Sequence, residues 1–130
     1  MPPDVQNWLS KARVDLEAAR FLRKNVSLPG EVAAFHYQQA AEKAIKGMLA
    51  TQNVVPPRSH DLRALMAVVT IPVGLSMDAA EALTPFAVLS RYPGFDTSID
   101  ATLLDEFDAF AALCIERLDE LSQIGGQNRG

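Results

Sequence analysis

A chain of 130 residues is the size of one domain with a genuine core, and 48% hydrophobic against 22% charged residues argues against disorder. The single cysteine, Cys114, excludes an internal disulfide framework and suits a reducing compartment. No apolar run reaches the roughly 18 residues of a membrane span, and Asp4, Lys11, Arg13 and Asp15 leave no signal-peptide core at the start, so a cytoplasmic protein is expected.

In chain order the pattern is helical. Val5, Leu9, Ala12, Leu16, Ala19, Leu22 and Val26 recur at steps of three and four, predicting a helix from Asp4 to about Val26, with Asp4 as its cap. Arg23 and Lys24 suit the negative end of its dipole. After the break at 27–30, Ala34, Tyr37, Ala41, Ala44 and Met48 predict a second helix, closely packed through its small residues and the most buried of all. Pro56 and Pro57 end it by about Asn53. Ser59 or His60 is expected to cap a short third helix from Asp61 to about Thr70, burying Leu62, Leu65, Met66 and Val69. Ser76 caps a fourth, with Ala79, Leu83, Phe86 and Leu89 inward and a kink or break at Pro85. From about Asp100, the series Leu103, Phe107, Phe110, Cys114, Leu118 and Leu121 marks a long closing helix that Gly125 and Gly126 end.

Neither Val54 and Val55 nor Val68 and Val69 shows the alternation of a half-buried strand. The expectation is an all-α antiparallel bundle of four to five helices, up and down, over residues 1–124, with a flexible tail at 125–130.

The charge of −4 speaks against a broad nonspecific nucleic-acid surface. It conceals an asymmetry, +3 over residues 1–63 against −7 over residues 64–130. The basic half offers a face to an anion, or the two halves attract each other, or the acidic face is simply solvated. With only His36, His60 and Cys114 available beside the acids, and no Glu-x-x-His or His-Glu-x-x-His run, neither a metal site nor another cofactor site is expected. Cys114, between Phe110 and Leu118, reads as a packing residue rather than a nucleophile.

The informative stretch is the second helix and the turn beyond it. His36, Gln39, Lys43 and Lys46 fall at i, i+3, i+7 and i+10, a donor-rich stripe on an Ala-rich helix, and Glu42 can pair with Lys46 at i, i+4. A solvated helix face followed by a capped turn explains the same residues without any ligand.

Three pieces in this order, Gln39-Ala40-Ala41-Glu42-Lys43-Ala44-Ile45-Lys46, then Ser59-His60-Asp61-Leu62, then Arg91-Tyr92-Pro93-Gly94, closely resemble the HEPN domain over most of the chain. The resemblance implies an antiparallel helical bundle, often a two-fold dimer, that binds nucleotides or RNA and in many cases accompanies a small nucleotidyltransferase in toxin or defence systems. Ribonuclease members of that family carry an Arg followed after four to six residues by a His. Arg91 matches the Arg, but residues 92–98 contain no His, so ribonuclease activity is doubtful. Tyr92 directly follows Arg91 and does not match the tyrosine that some toxins carry beyond the His.

The nucleotide- or RNA-binding candidates are therefore Arg91, Lys43, Lys46, Gln39, Glu42 and His60. Arg91 is also the candidate catalytic residue. No spacing supports His60 as the missing base, the role it would need in an altered ribonuclease. In a purely structural reading, Arg91 and Glu42 form a buried stabilising pair.

Overall fold

The computed structural model describes residues 3–69, 74–88 and 99–127. They form five α-helices and one 3₁₀ turn, with no strand among the described residues: α1 (Pro3–Arg23), α2 (Gly30–Thr51), α3 (Leu62–Val68), α4 (Met77–Leu83), the 3₁₀ turn Thr84–Ala87, and α5 (Ala101–Gln127). None of these helices is long and apolar enough to cross a membrane.

The helix ends follow from local chemistry, and several differ from the sequence expectation. Asp4 lies inside the first turn of α1, where a carboxylate suits the dipole, and is not its cap. The helix stops at Arg23 rather than Val26 because the Asn25 side chain accepts from the backbone N–H of Ser27, a local turn that competes with helix. Val26 is consequently exposed. The cap of α3 is Asp61, whose carboxylate accepts from the N–H groups of Arg63 and Ala64; neither Ser59 nor His60 caps it. Ser76 caps α4 as expected, through Ala79, and at Pro85 the α-helix gives way to the 3₁₀ turn. At the other end α5 runs through Gly125 and Gly126 to Gln127, since glycine weakens a helix by about 1 kcal/mol without forbidding it. Leu89 lies outside the described residues.

Three long helices make the core. Val5, Leu9, Ala12, Leu16 and Ala19 of α1 meet the buried face of α2, and Phe107, Phe110, Cys114 and Leu118 of α5 close over both. Burying each large side chain contributes roughly 1.5–3 kcal/mol. As expected, α2 is the central element, with Tyr37, Ile45, Met48 and Leu49 fully buried. Cys114 is fully buried as well, and burial pushes its thiol pKa well up, which leaves it inert. Leu62, Leu65 and Leu83 seal one end, and Phe86 meets Phe107 edge-on at 5.7 Å.

Helix directions follow from the cross-contacts. Arg13, Arg20 and Arg23 of α1 pair with Asp119, Asp108 and Asp105 of α5 in reverse order, so the two helices are antiparallel. Tyr37 bonds to Asp108, and Gly47 lies against Leu118, so α2 and α5 run the same way. The α3–α4 segment provides the return that permits this. The charge asymmetry is thereby explained within the fold: a basic row on α1 faces an acidic row on α5.

Candidate functional site

The donor stripe of α2 does not form one face for a ligand. It divides between two buried carboxylates. Asp15 of α1 takes the first share, accepting from Lys43 and lying 3.0 Å from His36 Nδ1. Glu42 takes the second. Its Oε2 accepts from Lys46 at 3.0 Å, and its Oε1 accepts from Gln38 at 3.0 Å and meets His60 Nδ1 at 2.8 Å. Gln38 also donates to the carbonyl of His60, which fixes the backbone where the third helix begins. Among the described residues Gln39 donates to the side-chain oxygen of Gln38 and so reaches the cluster indirectly.

Lys43 is thus tied to α1 and separated from the Glu42 group. Lys46, Gln38, Glu42 and His60 are brought together. Arg91, the remaining binding candidate, lies outside the described residues, as does the Arg91–Glu42 pairing.

Glu42 is only 7% exposed, whereas the His60 ring is 56% exposed. Burial pushes the Glu42 carboxyl up, but the bonds from Gln38, His60 and Lys46 outweigh it and hold the pKa below the ordinary value. An ionised Glu42 only accepts, so His60 Nδ1 carries the donated proton. In the neutral ring this leaves Nε2 as a lone pair, with no partner among the described residues. The expectation that His60 caps the third helix fails, since Asp61 is the cap and the His60 ring turns to Glu42 instead.

A second polar group joins the three long helices. The Tyr37 hydroxyl donates to Asp108 at 2.8 Å, and Arg20 grips the same carboxylate through Nε and Nη2 at 2.8 and 3.0 Å. Burial, with help from the Asp108 bond, pushes the Tyr37 phenol up to about 12. The Arg20 bonds hold Asp108 below its usual value.

These two depressed carboxyls make the fold sensitive to acid. Folding favours their ionised forms, so the stabilisation is complete above the unfolded-state pKa and is lost as pH falls toward the depressed folded values. The melting temperature should therefore drop steeply below about pH 5, and Glu42→Gln combined with Asp108→Asn should flatten that slope. A circular-dichroism melt that is no less pH-dependent in the double variant would contradict this assignment.

Asp15, Tyr37, Asp108 and Gln38 were not singled out as polar partners from the sequence. Asp15 carried a signal, because it lies three residues after Ala12 and four before Ala19, on the inner face of α1. Among the described residues no group of three His, Cys, Asp or Glu side chains is arranged to hold a metal.

A family model described as the HEPN domain matches residues 5–122. Among solved structures, the fold is similar to that of TT1696 from Thermus thermophilus, with a TM-score of 0.73 and 23% identity, covering 90% of this chain and 97% of that one. It is also similar to ST0689, described as an archaeal HEPN homologue, at 30% identity and a TM-score of 0.54, covering 95% of this chain and 96% of that one. No curated protein matches the chain.

Proposed function

The chain belongs to the HEPN domain family, and on that premise we propose that it is a binding module for the phosphate of a nucleotide or an RNA chain. It pairs with a second copy of itself and works beside a small nucleotidyltransferase in a toxin–antitoxin-type system. The observation that carries the reading is the exposed His60 ring, fixed at Nδ1 by Glu42, with Lys46 on the same carboxylate. Protonated His60 offers Nε2–H to a phosphate oxygen, and Arg91 supplies the guanidinium that a phosphate favours.

Cleavage at a ribose 2′-hydroxyl needs both a base and an acid. His60 is the only imidazole on the Glu42 cluster, because His36 is held by Asp15 six residues back along α2, about 9 Å away. A second reading nevertheless has one observation in its favour. The Glu42 bond orients neutral His60 with its Nε2 lone pair outward, as a general base requires, so an altered metal-independent ribonuclease with Arg91 and His60 is the alternative.

One set of measurements separates the two. Labelled short RNA should bind with strong salt dependence, Arg91→Ala should weaken it and flatten that dependence without lowering the melting temperature, and light scattering should give twice 14.1 kDa. Cleavage should be about 100- to 10,000-fold below that expected with a complete acid–base pair. Robust metal-independent cleavage, abolished by both Arg91→Ala and His60→Ala, replaces the binding module with the ribonuclease.

A further inference from the structure

The groove between the start of α1 and the connection after α2 has no part in the site above. Asp4, Asn7, Trp8 and Lys11 lie on one face of α1, at i, i+3, i+4 and i+7, and with Pro56 they line a cavity of about 300 Å³. A neighbouring hollow of about 250 Å³ shares Asp4 and Pro56 and continues along Asn53, Val54 and Val55. Trp8 is partly buried against the core and also lines the groove. The close approach of α1 to α2 at Gly47, whose backbone leaves room for the Trp8 side chain, sets this position.

The polar groups around the ring have no hydrogen-bond or ion partner among the described residues. This contrasts with the rest of α1, where Arg13, Arg20 and Arg23 are each matched with an acid. Lys11 is the cation of α1 that faces a cavity without a carboxylate bound to it. Arg58, two residues beyond Pro56 on the path to His60, is likewise exposed and unpaired among the described residues.

A cavity lined by both a tryptophan and a proline suits a flat aromatic group. A side-chain amide beside it reads a heterocycle edge with one donor and one acceptor, and an ammonium at the rim takes a phosphate. At about 300 Å³ the cavity lies at the small end for ligand sites, which fits a single base with its phosphate outside on Lys11 rather than a large cofactor.

We propose that the groove formed by Asn7, Trp8, Lys11 and Pro56 is a nucleobase-stacking site, taking one base of a single-stranded RNA or of a free nucleotide. Trp8 and Pro56 sandwich the base, Asn7 hydrogen-bonds its edge, and Lys11 holds its phosphate. Asp4, at the far end from Lys11, accepts from an exocyclic amine or a ribose hydroxyl. The site deepens the RNA-binding reading and rests on it for its RNA form: from the groove, a strand passes Arg58 to reach His60.

Trp8 is the sole tryptophan, so its fluorescence reports the groove alone. Adenosine monophosphate and a short single-stranded oligoadenylate should each quench it saturably, while ribose 5-phosphate, which lacks a base, should not. Lys11→Gln should weaken nucleotide binding several-fold and Asn7→Ala should change the ranking of the four mononucleotides; both positions are exposed, so the fold survives. Trp8→Leu should lower the affinity for labelled oligoadenylate about 5- to 100-fold. The groove is overturned if no mononucleotide or RNA changes Trp8 fluorescence, whether or not labelled RNA binds by anisotropy. Quenching by mononucleotides with no binding of labelled RNA overturns the RNA reading instead and leaves the groove as a mononucleotide site.

Discussion

Glu42→Ala should destabilise the protein by about 3 kcal/mol, the lower end of the range for breaking a buried charge pair. The carboxylate is the common acceptor for Lys46, Gln38 and His60, and all three lose it together. Gln38 is completely buried and its NH2 group would keep only the His60 carbonyl as an acceptor, while Lys46 would be left as a nearly buried cation. The loss stays at the lower end because the Lys46 stem is long enough to reach water and His60 is already half in it. At this chain length 1 kcal/mol corresponds to about 4 °C in melting temperature, so a shift of about 12 °C is expected. Glu42→Met with Lys46→Met should recover part of it, because removing both charges leaves no buried charge unpaired, although Gln38 still loses one acceptor. A thermal melt in which the double variant is worse than Glu42→Ala would show that the cluster is not held together by this carboxylate.

Gly47→Val should cost about 3 kcal/mol for a different reason, an excess of atoms where α1, α2 and α5 meet. A Cβ at position 47 falls 2.6 Å from Leu118 Cδ2 and 2.9 Å from Trp8 Cβ. The leucine tip can rotate away, but the Trp8 Cβ is rigidly attached to its backbone, so α1 itself must move. The gain from replacing a mid-helix glycine, about 1 kcal/mol for alanine and less for β-branched valine, cannot offset this. Denaturant titration of Gly47→Ala and Gly47→Val should show the alanine variant intermediate. Equal stability of all three proteins would mean that the helices have slack at this crossing.

Much of the fold was legible because a helix announces its buried face by period. Val5 to Ala19, Tyr37 to Met48 and Phe107 to Leu118 lie inside where their spacing puts them. Helix ends were less legible, since they turn on single side chains: Asn25 bonding Ser27, and Asp61 rather than its two neighbours accepting at α3. The candidate site was half legible. The Glu42–Lys46 pair follows from i, i+4 spacing, although its burial does not. That His60 would meet Glu42, or that Asp15 would claim His36 and Lys43, depends on how α1 and the α2–α3 connection lie against α2, and local spacing contains no such information. Asn7, Trp8 and Lys11 were hidden for the same reason, because Pro56 completes their groove from 45 residues further on.

The Arg row of α1 and the Asp row of α5 also bear on the order in which the chain assembles. They join residues 82 and 88 positions apart, whereas α1 and α2 meet across a short turn. During synthesis the first two helices leave the ribosome able to pair, while the wall that receives Phe107, Phe110 and Leu118 stays wet until α5 follows. Opposite charges then draw the late helix onto the waiting hairpin, in register and in one polarity. Salt, by screening that attraction, should slow this final docking in a refolding experiment more than it slows the hairpin. The uneven distribution of charge along the sequence thus favours one landing place and one direction for the last helix.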